Sequence, residues 1–202
     1  MIETLFIIFF ICFFIIYYFL YNNEIIYIES FDNNSYLVRN LPDKEEAANN
    51  LAKIRRDLLQ FINKLCYDIE NNIKTDKNSI ENYKYIKKIQ ERLPNSIIKE
   101  SSANSEYTSY SINKGEELVF CLRSKKTNKL HELNEIMYVA IHEIAHIGCP
   151  EIGHTQLFKK INKYLLKESI SYNIYTYDDY SNNNKEYCGI LLTNNILDNT
   201  YF

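Results

Sequence analysis

The sequence LNEIMYVAIHEIAHIGCPEIGHTQLF, residues 133–158, contains the pattern that decides the fold prediction. Its first half has apolar residues at spacings of three and four, which predicts a largely buried helix. Gly148 and Pro150 predict the end of this helix, and Gly153 permits a tight turn soon afterwards. A second amphipathic pattern includes Leu157 and continues beyond the quoted stretch. The stretch therefore predicts two consecutive helices that are joined by a short loop.

Within the first of these helices, His142, Glu143 and His146 form the pattern His-Glu-x-x-His. Residues i and i+4 lie on one face of a helix, so both imidazoles can reach one Zn²⁺ ion. Glu143 can then take a proton from a metal-bound water, because the ion lowers the pKa of that water to about 7. A catalytic zinc site needs a third protein ligand and keeps the fourth position for water.

Several residues are candidates for the third ligand. We favour His154, because it follows the break in the helix and the glycine turn, and would supply a ligand from a separate backbone segment. The alternatives that stay open are Glu168, Cys149 and Glu151. The remaining histidine, His131, is interpreted as a polar or capping residue near the start of the first helix.

The rest of the chain predicts an α+β fold. Residues 41–95 contain two amphipathic helical patterns, and Pro94 ends the second. Residues 107–112 and 117–123 have the alternation typical of two strands, with a turn at Asn113-Lys114-Gly115. The predicted organisation is a transmembrane anchor at 1–21, a spacer at 22–40, a helical subdomain at 41–95 and a catalytic domain at 96–202.

The N-terminus is predicted to be a membrane anchor. Residues 5–21 contain no charged side chain, and as a helix they would extend roughly 26 Å, near the short limit for a bilayer core. A cleaved signal peptide is disfavoured, because the segment lacks a positive N-terminal region and a small-residue cleavage site. The five cysteines show no paired spacing, which favours the reducing, cytosolic side. We therefore expect a single-pass membrane protein with its remaining residues in the cytosol.

The composition limits the classes of partner. The 202 residues are 46% hydrophobic and carry a formal net charge of −3, which argues against a general nucleic-acid binder. Four Gly and three Pro exclude a collagen-like or disordered chain, and five Cys are too few for a disulfide scaffold. No nucleic-acid partner is expected, and the composition does not determine the oligomeric state.

Five segments together resemble the WLM/SprT-like zinc metallopeptidases, in particular a branch of uncharacterised members of large DNA viruses that are predicted to be membrane-anchored. These segments are Ser109–Glu116, Val119–Arg123, His142–His146, Glu151–His154 with Phe158, and Tyr187–Gly189. Seven residues separate His146 from His154, which is longer than the loop usual in WLM proteins. A general SprT-like assignment therefore fits better than a strict WLM assignment.

The resemblance implies a zincin-like fold, with a small sheet and an active-site helix, and it implies hydrolysis of peptide bonds. It assigns His142, His146 and His154 as Zn²⁺ ligands and Glu143 as the general base. It also implies an edge strand that pairs with the substrate backbone, for which residues 117–123 are the candidate. Apart from the resemblance, Tyr175, Tyr177 or Tyr187 could supply a hydroxyl that stabilises the oxyanion. Because the chain has 18 tyrosines, each of the three is interpreted as a packing residue and none is assigned to the catalytic set.

The leading interpretation is thus a membrane-anchored zinc endopeptidase that acts on a protein or peptide substrate. One alternative is a non-enzymatic membrane-anchored protein whose zinc only stabilises the fold, with Cys149 or Glu168 as a fourth ligand. Another alternative is a partner-binding module that presents the helix at 43–72.

Overall fold

The computed structural model describes the backbone of residues 2–21 and 24–198, and the side chains of residues 6–18 and 24–198. The chain combines helices and strands, which confirms the predicted α+β class. Its elements are α1 Ile2–Tyr21, β1 Ile25–Glu29, β2 Ser35–Arg39, α2 Lys44–Glu70, α3 Lys77–Arg92, a short 3₁₀ turn at Leu93–Asn95, β3 Ile97–Glu100, β4 Tyr110–Ile112, β5 Glu117–Phe120, α4 Leu133–Gly148, α5 Gln156–Ser171, β6 Lys185–Tyr187 and β7 Ile190–Leu192.

The predicted membrane anchor is wrong. In the part of the chain that the structure describes, no helix combines the length and the apolar character needed to cross a bilayer. The prediction relied on the uncharged apolar run at 5–21 alone. The prediction of a single-pass membrane protein with its remaining residues in the cytosol is overturned by the same finding.

Five strands form one mixed sheet in the order β1-β2-β3-β5-β4. Strand β4 pairs antiparallel with β5, which confirms the predicted hairpin, although both strands are shorter than expected. Strand β3, which the sequence analysis did not identify, pairs in parallel with the other side of β5. The prediction that residues 117–123 form an edge strand is therefore wrong, because β5 is interior and β4 occupies that edge.

The segment predicted as a spacer contains the β1–β2 hairpin, which pairs Ile25 with Arg39. Side chains alternate along β2, and Tyr36 and Val38 are buried against the core while their neighbours are more exposed. This hairpin forms the edge of the sheet opposite β4.

Helix α2 packs against the sheet, and its apolar residues join one hydrophobic cluster with α3, α4, α5 and the strands. Leu51, Leu58 and Leu65 on this helix are fully buried, so its apolar face is used for core packing. The apolar surface that a partner-binding helix would need is therefore not exposed along this face.

The end of α4 lies very close to α3. A Cβ added at Gly148 would lie 2.9 Å from the backbone oxygen of Tyr85, so only a glycine fits here without a shift of the backbone. This contact fixes the end of α4 against α3 and hence the position from which the following loop returns towards the histidines.

Cys121 and Cys188 form a disulfide bond, so the interpretation of the cysteines as unpaired is wrong for these two. The two residues are separated by 67 positions, and local spacing therefore gave no sign of the pairing. The bond connects the chain after β5 to the β6–β7 hairpin. Cys12, Cys66 and Cys149 are free.

Candidate metal centre

Two consecutive helices and the loop between them hold the three predicted histidine ligands. His142 and His146 lie one turn apart on α4, with ring centroids 5.1 Å apart. The loop returns through Gly153, whose φ of +79° places it in the left-handed region that glycine tolerates best. His154 follows this turn, and the Thr155 side chain caps α5 by accepting a hydrogen bond from the Phe158 N–H.

The three histidines converge. One ring nitrogen from each of His142, His146 and His154 lies within 4.8 Å of the others, and the Nε2 atoms of His142 and His154 are 3.0 Å apart. Zinc–imidazole distances of about 2.0–2.1 Å in a tetrahedral site would separate two ligand nitrogens by about 3.3 Å. The donor set and its spacing therefore fit a zinc ion with three protein ligands.

Aromatic packing orients the rings. Phe158 stacks on His146 with a centroid distance of 4.0 Å and an interplanar angle of 21°. The same ring lies 4.9 Å from His142 and 5.0 Å from His154. One phenyl group from the first turns of α5 thus contacts all three imidazoles and limits their rotation.

The side chain of Asn162 lies 3.2 Å from Nδ1 of His142. Sequence reasoning missed this residue, although Asn162 lies four positions after Phe158 and hence on the same face of α5. The four-residue spacing from Phe158 is the feature of the sequence that could have identified Asn162 as a neighbour of the histidines. A polar side chain on the outer nitrogen of a ligand histidine fixes the ring orientation and the tautomer.

Burial keeps two of the histidines neutral. It lowers the pKa of His142 to about 3 and that of His146 to about 4, and the neighbouring histidines add to both shifts. Neutral imidazoles present the lone pair that a metal ion requires. Both rings are therefore ready to bind a cation at neutral pH.

Glu143 is the buried carboxyl group of the site, with 5% of its surface exposed. Burial raises its pKa to about 8. A carboxyl group whose pKa lies near the working pH can both accept and return a proton. Its position next to His142 on α4 places it in the wall of the same cleft as the three histidines.

That cleft has a volume of about 810 Å³, and we call it the β4 cleft. One wall consists of β4 and the residues next to it, namely 108–111, 113 and 114. The loop contributes residues 152–154, and the β6–β7 hairpin contributes Tyr187, Ile190 and Leu192. Lys114 supports the loop, because its ammonium group donates to the backbone oxygens of Cys149 and Glu151. Lys114 was not singled out from the sequence.

The alternative third ligands lie outside the histidine cluster. Glu168 is buried and forms an ion pair with Lys74, with Oε2 and Nζ 2.8 Å apart. Cys149 is buried, and Glu151 contributes its backbone oxygen to Lys114. Among the described residues, the group that brings ligand atoms together at this site consists of three histidines.

His131 is also outside the cluster, and it is not the cap of α4, a position held by Glu132. Its ring is buried, accepts a hydrogen bond from the Cys188 N–H at 3.0 Å, and stacks on Tyr187. It is a polar residue that holds the β6–β7 hairpin.

The three tyrosines proposed for the oxyanion occupy different places. The Tyr175 hydroxyl binds the Asn195 side chain, and the Tyr177 hydroxyl binds Asp198. Only Tyr187 of the three lines the β4 cleft, where its hydroxyl lies 3.0 Å from Ser109 Oγ.

No protein-family model matches the chain. Among solved structures, the crystal structure of Wss1 from Saccharomyces cerevisiae matches with a TM-score of 0.35 and 16% identity, over 48% of this chain and 84% of that chain. A TM-score of this size does not establish a shared fold, so the site geometry has to support any assignment of function.

The sequence relatives are viral proteins, as the resemblance implied. The uncharacterized protein 136R of Invertebrate iridescent virus 6 is 38% identical over 82 residues, which are 40% of this chain and 44% of that protein. The uncharacterized protein R325 of Acanthamoeba polyphaga mimivirus is 40% identical over 177 residues, which are 87% of this chain and 86% of that protein. On that identity and coverage, the chain belongs to the same family as the mimivirus protein R325.

Proposed function

We propose that the protein is a zinc metallopeptidase of the WLM/SprT-like type. The observation that carries the proposal is the convergence of three histidine nitrogens within 4.8 Å of one another, beside the buried carboxyl group of Glu143. Three protein ligands leave a coordination position for water, which is the arrangement of catalytic rather than structural zinc. A structural site would need a fourth ligand, and the predicted candidates Cys149 and Glu168 lie outside the described cluster.

His142, His146 and His154 would hold the zinc ion, which when bound supplies an activated water and polarises the scissile carbonyl. Glu143 takes a proton from the water and returns it to the leaving amine. Because burial raises the pKa of Glu143, the carboxylate has the proton affinity that both transfers require. Tyr187 lines the same cleft and is the tyrosine that could donate a hydrogen bond to the developing oxyanion.

The edge of the sheet would bind the backbone of the substrate. Strand β4 pairs with β5 on one side only, and Ser109, Tyr110 and Ser111 line the cleft. An extended peptide can add to such an edge by main-chain hydrogen bonds. This role falls to β4, because β5 is paired on both sides.

The first test is the metal content of the purified protein, measured by mass spectrometry. We expect one zinc per chain, lost in His154→Ala and kept in Glu168→Ala, because Glu168 is paired with Lys74 outside the cluster. A well-folded wild-type protein that binds no zinc would contradict the proposal.

The second test is peptide cleavage by Glu143→Gln. We expect this variant to keep its zinc and to lose at least about 100-fold in cleavage rate, since general-base catalysis contributes about 10²–10⁴-fold. Glu91→Gln is the matched control, because it makes the same chemical change at an exposed position on α3 outside the cleft. A Glu143→Gln protein that cleaves like the wild type would eliminate the proposed mechanism.

A further inference from the structure

The metal centre opens into a second cavity, of about 550 Å³, that lies along α5. We call it the α5 cavity. It shares Tyr138, His142 and His154 with the β4 cleft, so the two spaces meet at the histidine cluster. A peptide that lies along β4 and crosses the cluster would therefore continue into the α5 cavity.

The α5 cavity has a distinct charge. Four lysines of α5 line it: Lys159, Lys160, Lys163 and Lys167. Their spacing of one, three and four residues places them along one side of the helix. The described residues that line the cavity include no Asp or Glu, although the whole chain has a net charge of −3.

The neighbouring acidic groups neutralise this charge only in part. Lys160 forms an ion pair with Glu81, with 2.6 Å between the charged atoms. Lys159 and Lys167 are exposed and make no ion pair with another described residue. The β4 cleft differs, because its charged lining residues, the histidines apart, are Lys114 and Glu143, and Lys114 is engaged by the loop.

We propose that the α5 cavity binds an acidic segment of the substrate, on one side of the scissile bond. The inference rests on the proposed peptidase function, and it adds a substrate class to it. The ammonium group of lysine is a compact charge at the end of a flexible side chain, so it can bind carboxylates in several geometries. The cavity would therefore select Asp and Glu without requiring one particular sequence. The cavity volume lies in the usual range of ligand pockets, which suits a few residues of a peptide.

The test compares peptides of one parent sequence that carry a block of Glu, Gln or Lys on either side of the cleavage site. With the zinc-loaded wild-type protein, we expect kcat/KM to be about tenfold higher for the Glu peptide than for the Gln peptide when the block lies on one particular side of the cleavage site. With the block on the other side, the two peptides should be cleaved equally. The double variant Lys159→Glu/Lys167→Glu should lose this preference. The control Lys53→Glu/Lys84→Glu changes two exposed lysines of α2 and α3 and should keep it.

Equal cleavage of Glu, Gln and Lys peptides would overturn the inference and leave the proposed function intact. If no peptide is cleaved, the proposed function fails. Binding of the labelled peptides to Glu143→Gln then tests whether the α5 cavity prefers acidic segments. Tighter binding of the Glu peptide, lost in Lys159→Glu/Lys167→Glu, would support the cavity assignment, whereas equal binding would reject it. Displacement of the Glu peptide by a single-stranded oligonucleotide at a lower concentration than by unlabelled Glu peptide would reject the acidic-peptide assignment in favour of a nucleic-acid site.

Discussion

At the scale of single residues, the burial of Glu143 makes a prediction about pH and stability. Burial raises its pKa to about 8 in the folded protein, whereas an unfolded chain has a glutamate pKa of about 4.3. Between these values the folded metal-free protein holds a proton that the unfolded chain has released. The stabilisation from this group is therefore complete below about pH 4 and is lost as the pH rises through about 8.

Glu143→Gln keeps a neutral side chain at every pH. We therefore expect the metal-free variant to have a Tm close to that of the wild type at pH 5 and a higher Tm at pH 9. Thermal denaturation in the presence of a chelator measures this difference, with Glu91→Gln as the exposed control. A difference in Tm that stays constant from pH 5 to pH 9 would show that the carboxyl group is not buried in its neutral form.

Asn162 makes a second prediction at this scale, for the affinity for metal. The Asn162 amide can be placed with either its oxygen or its nitrogen towards Nδ1 of His142. With the oxygen there, the amide accepts the proton of Nδ1 and leaves Nε2 free to bind the ion. We expect Asn162→Ala to weaken zinc binding by about 10–100-fold and Asn162→Asp to restore most of the affinity. Competition with a chromophoric chelator measures both values. Unchanged affinity in Asn162→Ala would assign the contact to packing alone.

At the scale of elements, a buried arginine connects three parts of the chain. Arg123 has a side chain that is 1% exposed, and its Nε donates to Glu100 of β3 at 2.8 Å. Its Nη1 donates to Asp43 at the start of α2. The guanidinium group holds the pKa of Asp43 below its usual range. Arg123 therefore fixes where α2 begins relative to the sheet.

Removal of this arginine leaves the buried carboxyl group of Glu100 without its charged partner, and among the described contacts only the backbone N–H of Arg39 still donates to it. We expect Arg123→Met to lower the free energy of unfolding by about 3–5 kcal/mol, measured by urea denaturation. Arg56→Met removes an exposed pair with Asp57 and should cost at most about 1 kcal/mol. Similar losses in the two variants would mean that the buried pair contributes no more than a surface pair.

At the scale of the whole molecule, the disulfide between Cys121 and Cys188 closes a segment of 67 residues. That segment contains α4, the histidine cluster and α5. A cross-link over this length restricts the unfolded chain and stabilises the folded protein by about 4 kcal/mol in the chain-entropy account. The same bond holds the β6–β7 hairpin, whose residues Tyr187, Ile190 and Leu192 line the β4 cleft.

We therefore expect a reductant to lower the Tm of the wild-type protein, and Cys188→Ser to lower it by the same amount without a reductant. Cys12→Ser, at an exposed free cysteine, should leave the Tm unchanged. Alkylation followed by mass spectrometry counts the free thiols before and after reduction. A Tm that does not respond to reduction would contradict the structural role of the bond.

The local features of this protein could be predicted from its sequence. The apolar spacing in residues 133–158 predicted α4 and α5, and the His-Glu-x-x-His pattern with His154 predicted the cluster that the structure brings together. Helix periodicity and helix-breaking residues act over a few positions, so a single sequence contains their whole signal. The hairpin of β4 and β5 was predicted for the same reason.

Contacts between distant segments were decided by the tertiary structure alone. Strand β3 pairs with β5, so that β5 is interior and β4 lies at the edge. Cys121 is bonded to a cysteine 67 positions away, and Arg123 pairs with Asp43, 80 positions away. The lysines of α5 became a cavity wall only because α5 packs beside α4. The prediction of an anchor at 5–21 rested on a local run of apolar residues, and the described part of the chain contains no helix with the length and apolar character of a membrane span. Residue spacing thus determined the helices and the candidate ligands, whereas chain packing determined the β4 cleft, its edge strand and the charge of the α5 cavity.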